Sequence, residues 1–412
     1  MFITTLNTLA VNINSMNKPS NLERVAMIEH AYPTQRYKRN DFNGQLQAAM
    51  SSVKRNISRI GINNPKIGNE DGTWKYCGPS DWVSSFWTGQ LWLCYQITGD
   101  STFKNSAHMR KPYFKELLVN PNWHDHDLGF QYSLSCVAGY VLTEDEEYKS
   151  MAIEAAHSLY QRYRRLGQYI VAWNETHVLG PEKTQGKTII DSLQNTALLF
   201  WAANQTKSDV LRDAAINHSR TMAKHIVRDD YSTFHTFNFD PLTQKPIKGE
   251  TFQGYADDSC WARGQSWAIH GFAQTYLYTG DKSFLDLAKK LAQFVMPYLQ
   301  DDAVPVWDYR LPSDEHPYKD SSAGAITAAG FLLIASLCED EQEKDFYEQW
   351  GMHLVQGLIE QCDLTADESA HGLLSQGASF VAKDMANNML PYGDYYYLEA
   401  LMRICGHQRY FW

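Results

Sequence analysis

Residues 263–299 read RGQSWAIHGFAQTYLY, then TGD, then KSFLDLAKKLAQFVMPYL. The first run is apolar and aromatic. The last is more charged and amphipathic, with Ala288 and Ala292 at helical spacing. Between them, Thr279-Gly280-Asp281 reads as a stop followed by a start. Gly closes the first helix and Asp caps the next. Two helices joined by so short a turn run antiparallel.

The same joint recurs at Thr98-Gly99-Asp100, at Thr143–Asp145, near Thr206–Asp209 and near Glu339–Glu343. Working outward from these joints gives six helix pairs. The apolar members fall at roughly 83–98, 128–142, 192–204, 263–278, 323–337 and 394–405; the charged members fall at roughly 41–60, 102–119, 146–166, 208–227, 282–299 and 341–361. Helices that are apolar all round want burial on every side, and amphipathic ones want one wet face. An inner ring inside an outer ring satisfies both. The expectation is an all-α fold, an (α/α)6 barrel or six-hairpin toroid, in a single domain over 1–412 with 1–40 as an N-terminal arm and lead-in. The unequal spacing does not suit an open solenoid of fixed period. Short turns then lie at one end of the barrel. The long connections at 62–82, 120–127, 167–191, 228–262, 301–322 and 363–393 lie at the other, where function is expected. Thr233–Phe239 alternates and reads either as a short strand in a mouth loop or as an irregular aromatic loop.

Composition narrows the function. The chain has 412 residues, 44% hydrophobic and 20% charged, with a formal net charge of −10. No Lys/Arg cluster makes a basic face, so no nucleic-acid partner is expected. No apolar run approaches the roughly 18 residues of a membrane span, so no membrane partner is expected. The first residues lack a basic start and a dense apolar core and make a poor signal peptide. The seven Cys are scattered without a CxxC, which suits a reducing compartment and no thiolate metal site. A cytoplasmic enzyme is the expectation; oligomeric state is left open.

The candidate chemistry sits ahead of the inner helices. Asp127, in Trp123-His124-Asp125-His126-Asp127-Leu128-Gly129-Phe130, and Asp191, in Ile189-Ile190-Asp191-Ser192-Leu193, take equivalent places in adjacent repeats. Either is also an ordinary N-cap. As a facing pair across the mouth they would raise one carboxyl's pKa and keep an acid protonated. The spacing of His124 and His126 is not specific for a metal and on a helix would point the two rings apart, so no metal is expected and His126 is assigned to Asp127 or the pocket wall. Arg263, between Trp261 and Trp267, reads as a fork for a carboxylate beside rings that stack on sugar, or as a structural partner of Asp257 or Asp258. Trp82, Trp87, Trp92, Trp173 and Trp307 add to an aromatic mouth, with Trp92 and Trp201 assigned to the core. Asp320-Ser321-Ser322-Ala323-Gly324-Ala325 reads as tight packing, and Lys383 as solvated. Walker, GxGxxG, GxSxG and HExxH motifs are absent.

Taken in order, Ser85–Leu93, His126–Phe130, Ile190–Leu193, Trp261–Trp267, Asp320–Ala325 and Tyr392–Tyr396 make the chain resemble the unsaturated glucuronyl hydrolases of glycoside hydrolase family 88. The resemblance implies an (α/α)6 barrel. It implies Asp191 as general acid and base and Asp127 as its partner. It further implies that His235, Gln253, Trp261, Arg263 and Trp267 contact an unsaturated uronate, with Trp82 or Trp87 and Trp173 lining the site. The implied substrate is an unsaturated uronic-acid oligosaccharide left by a polysaccharide lyase, hydrated at its double bond with no cofactor. Three other readings remain at this point: an unsaturated rhamnogalacturonyl hydrolase, a polysaccharide lyase on the same toroid, and a non-catalytic carbohydrate-binding toroid.

Overall fold

A computed structural model describes residues 31–412, apart from residues 175, 176, 178 and 179 and the side chains of 181 and 182. The expected lead-in over 1–40 lies mostly outside the described residues. Tyr32–Trp412 forms one compact unit.

Within it, the inner helices are Phe86–Thr98, the run Leu128–Tyr132 to Ala138–Thr143, Ser192–Thr206, Ala262–Thr279, Ser321–Leu337 and Pro391–Ile404. Each packs on the next, and the sixth packs back on the first, which closes the ring. Outside them lie Asn43–Ile60, Ser101–His108 with Lys111–Leu118, Glu146–Tyr160, Asp209–His225, Lys282–Leu299 and Glu341–Gln361. The architecture is the all-α (α/α)6 toroid. Composition explains which helix goes where: Ser321 through Ala335 is buried on every face, whereas Lys282–Leu299 buries one stripe, from Phe284 and Leu285 through Ala288, Leu291, Ala292, Val295 and Met296 to Leu299.

The joints work as their residues dictate. Gly99 and Gly280 take the left-handed conformation at φ 67°, where glycine meets no steric penalty. Glu144 and Lys207 adopt it as well, at φ 58°. The next helix is then capped by a side chain: Asp100 accepts from Thr102 N at 2.8 Å, Asp145 from Glu147 N at 3.0 Å, Asp281 from Ser283 N at 3.1 Å and Asp340 from Glu343 N at 2.8 Å.

Two expectations need correction. The outer helix expected over 102–119 is broken at Met109-Arg110, because Pro112 lacks the N–H needed to continue it. Arg110 is buried at the break and donates to Ser106 O, Gly61 O, Asn63 O and Asn64 Oδ1. The mouth also holds more strand than one segment at 233–239. Lys187–Ile189, Thr236–Phe239 and Pro246–Glu250 form a three-stranded antiparallel sheet, and two small ribbons lie elsewhere. The second inner helix passes through a π turn at Ser133–Val137, and Trp92 Nε1 donates to Ser135 O at 3.2 Å, so Trp92 belongs to the core as expected.

Candidate active site

Asp127 and Asp191 each stand at the N-terminus of an inner helix, and neither caps it with its side chain. The ordinary reading of an Asp at that place therefore does not hold. For Asp127 the reason is Asn195, one turn into the third inner helix. Its Oδ1 accepts Phe130 N at 2.6 Å, which is the N–H that Asp127 would otherwise cap. That bond fixes the amide, so Nδ2 donates to Asp191 O at 3.2 Å and faces Asp127 Oδ1 at 3.4 Å. Gly129 makes the approach possible: a Cβ there would lie 2.3 Å from Asn195 Cα. Asn195 was not singled out from sequence. Its only local signal is its place four residues after Asp191.

Both carboxyls are 7% exposed. Burial pushes Asp191 up from the usual carboxylate range to about 7, against the lowering influence of Arg263. Burial also holds Asp127 well above its ordinary value, and the charges of Asp125 and Asp191 add to the effect. Asp125, pushed to about 6 by burial, accepts Asp127 N at 2.8 Å. Burial, more than the facing carboxylate, is thus the first cause of the high Asp191 pKa.

Each carboxyl faces a neutral imidazole. His235 Nδ1 accepts Phe252 N and Gln253 N, both at 3.1 Å, so its proton sits on Nε2, 3.9 Å from Asp191 Oδ2. The sheet places it there, since Ile190 N donates to His235 O at 3.0 Å. His126 Nδ1 faces Ser192 Oγ at 3.1 Å and the Asn195 amide at 3.4 Å, which turns its Nε2 toward Asp127 Oδ2 at 3.4 Å. Burial holds both histidines well below their usual pKa. His124 points elsewhere, to Leu117 O. Among the described residues, no three His, Cys, Asp or Glu groups converge as a metal site.

The third cluster assembles partly as expected. Trp267 is fully buried, and its indole N–H approaches Asp191 without closing a regular hydrogen bond. Trp261 lies over His235 at 4.2 Å. Arg263 is a structural partner, but of Asp320 rather than Asp257 or Asp258. It donates to Asp320 Oδ2 at 2.7 Å, to Ala378 O at 2.6 Å and to Ser379 O at 2.7 Å. Gln253 Nε2 also donates to Ser379 O, at 2.9 Å. Asp320 caps the fifth inner helix through Ser322 N and Ala323 N, so its role exceeds tight packing. Trp82 stacks on Tyr392 at 5.0 Å, beside the Arg263 guanidinium. Trp173 stacks on His177 at 4.5 Å and meets Phe252, over which Lys383 lies. Trp87 is buried in the first inner helix with its N–H unpartnered; no ring contact ties it to the others among the described residues.

A closed helical toroid with two buried carboxyls at its mouth and an aromatic surround fits a carbohydrate-active protein. The sequence matches Glycosyl Hydrolase Family 88 over residues 33–409. It is 37% identical to an unsaturated glucuronyl hydrolase of Bacillus sp. strain GL1, over 86% of this chain and 94% of that one. It is 35% identical to an unsaturated chondroitin disaccharide hydrolase of Streptococcus pyogenes serotype M1, over 90% and 94%. The solved unsaturated glucuronyl hydrolase of Streptococcus agalactiae superposes with a TM-score of 0.84 at 33% identity, covering 97% of this chain and 98% of that one. The chain belongs to Glycosyl Hydrolase Family 88 and is a glycoside hydrolase.

Proposed function

We propose that this enzyme releases the Δ4,5-unsaturated glucuronic acid from the non-reducing end of lyase-generated oligosaccharides, with Asp191 as general acid and base and Asp127 as its partner. Release of unsaturated glucuronic acid is the activity that the names of its relatives carry. A Streptococcus agalactiae variant has been solved with dGlcA-GalNAc6S bound. The observation that carries the assignment of residues is the set of buried polar atoms without partners around the two carboxyls: Asp191 Oδ2, His126 Nε2, His235 Nε2 and Trp267 Nε1. Buried polar groups are normally satisfied, so four orphans together at a mouth fit a ligand's own polar groups.

The chemistry follows from the protonation states. The unsaturated ring is an enol ether. Asp191, held protonated near neutral pH, delivers its proton to carbon 4, and positive charge develops at carbon 5 and the ring oxygen. The ionised Asp191 then takes a proton from water, which adds at carbon 5. The resulting hemiketal opens and the glycosidic bond breaks with it. Acid–base help of this kind contributes about 10²–10⁴ in rate. Asp127 holds the sugar hydroxyls. Arg263, committed to Asp320 and two carbonyls, acts on the uronate through its charge and by holding the 378–379 backbone. Trp82, Trp173, Trp261 and Gln253 line the sugar. The seven unpaired thiols suit a reducing compartment, and no helix among the described residues is long and apolar enough to cross a membrane.

The test is the ultraviolet absorbance of lyase-generated unsaturated disaccharides. Absorbance lost with the wild type and retained with Asp191→Asn supports the reading. A flat trace on glycosaminoglycan-derived disaccharides with loss on pectin-derived ones moves the enzyme to the rhamnogalacturonyl type. A rise on intact polysaccharide makes it a lyase and removes the role given to Asp191.

A further inference from the structure

No regular hydrogen bond among the described residues sets the direction of the Trp267 indole. Its N–H approaches Asp191 and is buried without a regular partner, so packing against its ring decides where it points. Among the described residues, the rings against it are Phe130 at 5.2 Å and Tyr396 at 5.5 Å. Whatever holds these two rings therefore holds the indole.

Trp412 touches both. After the sixth inner helix, Gly406 takes a positive φ of 89°, which glycine does without penalty, and the chain then brings Trp412 back into the ring. The Trp412 side chain meets Phe130 of the second inner helix at 5.8 Å, His270 of the fourth at 6.4 Å and Tyr396 of the sixth at 5.6 Å. Contact with three alternate helices of a six-membered ring puts it on the toroid's axis. It is anchored there at two points. Its Nε1 donates to Glu399 Oε2 at 2.9 Å, and its carbonyl accepts Tyr278 OH at 2.7 Å. Tyr278 stands at the C-terminal end of the fourth inner helix, away from the mouth. Glu399 is itself buried and held by Arg403 at 2.7 Å. A fixed indole thus backs an unfixed one, with two rings between them.

We propose that Trp412 is a positioning residue for the hydration: seated on the axis, it holds Phe130 and Tyr396 against Trp267 and so keeps the Trp267 N–H on Asp191. The proposal rests on the reading of Asp191 as the acid. An N–H beside a carboxyl matters most after the proton has left, when it faces a carboxylate, and a donor already in place needs no reorganisation at that moment. Phe130 also ties the column to the other carboxyl, because it lies three residues after Asp127 and gives its N–H to Asn195. Substrate binding depends less on Trp412. Trp82 keeps its own stack on Tyr392, and Trp261 and Gln253 are held from the mouth side by His235 and Ser379.

The experiment is steady-state kinetics of the full chain on the lyase-generated unsaturated disaccharide that the wild type consumes fastest, run well below each protein's melting temperature. Trp412→Leu should lower kcat by about tenfold to a hundredfold, the scale of an ångström-sized misplacement. KM should stay within about twofold, the mark of an interaction made in the transition state. Trp412→Phe keeps a ring against Phe130 and Tyr396 and gives up the bond to Glu399. It should recover most of kcat while its melting temperature stays below that of the wild type. Adding Trp412→Leu to Phe130→Leu should cost little beyond the larger single loss, because the two act in one line. A purely structural Trp412 would lower the melting temperature and leave the kcat of the folded protein unchanged; that result overturns the proposal. A raised KM at unchanged kcat overturns it too, as do fully additive losses or a Trp412→Phe variant as slow as Trp412→Leu. Should Trp412→Leu fail to fold, Trp412→Met, which adapts to an irregular space, is read by the same criteria. A wild type that consumes no unsaturated disaccharide brings down the hydrolase reading and this proposal with it, whereas an active wild type beside unaffected variants brings down this proposal alone.

Discussion

Replacing Asp191 by Asn should abolish hydration and, at neutral pH, make the protein more stable. The second effect follows from burial. Asp191 is held at about 7 against a reference of 3.8, roughly three pH units at about 1.4 kcal/mol each, so ionising it in the folded protein costs about 4 kcal/mol. The unfolded chain ionises this carboxyl near pH 4, and the folded one near pH 7. Between these values the unfolded state binds fewer protons, so wild-type stability falls as pH rises. Asn cannot ionise and escapes the loss. The stability difference, Asp191→Asn minus wild type, should grow by about 1.4 kcal/mol per pH unit between pH 4 and 7 and then level off. Asp127 adds to this difference, because removing the Asp191 charge lets Asp127 ionise more easily in the folded variant. The assay is urea unfolding of both proteins across this range, with loss of substrate absorbance measured alongside. A difference independent of pH would mean that Asp191 is not held protonated by burial, and the acid role would fall with it. An Asn variant that still hydrates substrate would remove the role directly.

The wild-type rate should decline as pH rises through about 7, since the protonated Asp191 is the acid; a rate still rising at pH 8 would contradict this. Asn195→Ala should take away the partner of the Phe130 N–H and release Asp127 to turn from the site and cap it, costing about 0.5–1.5 kcal/mol for the lost bond and most of the activity, read by unfolding and by turnover. Gly129→Ala should be at least as destabilising as ordinary overpacking, about 1–3 kcal/mol, because the new Cβ would lie 2.3 Å from backbone; a melting temperature equal to wild type would refute the close approach. Arg263→Lys should lose the fork that ties Asp320 to the 378–379 carbonyls and raise the Asp191 pKa only if its ammonium sits farther away, so the alkaline limb of the pH–rate profile should hold or shift upward, never downward.

The ring is legible along the chain. Its evidence was local: a Gly or polar stop, an Asp or Ser cap, and the alternation of apolar with amphipathic helices, each readable within about twenty residues. It also placed Asp127 and Asp191 at equivalent points of adjacent repeats. It did not decide whether Asp127 was a cap, because that depended on Asn195, whose side chain reaches the neighbouring helix, 65 residues away in sequence, to take the Phe130 N–H. Arg263 shows the same limit. Asp257 and Asp258 were near in sequence, but the partner is Asp320, 57 residues on. The sheet that sets His235 beside Asp191 pairs Lys187–Ile189 with Thr236–Phe239, and neither strand's pattern names its mate. The break before Lys111–Leu118 is legible in Pro112, whose missing N–H is a local signal. The pairing of buried polar groups came with folding: an amide, a guanidinium and a carboxylate find their partners across space, and such bonds leave no periodic trace along the chain.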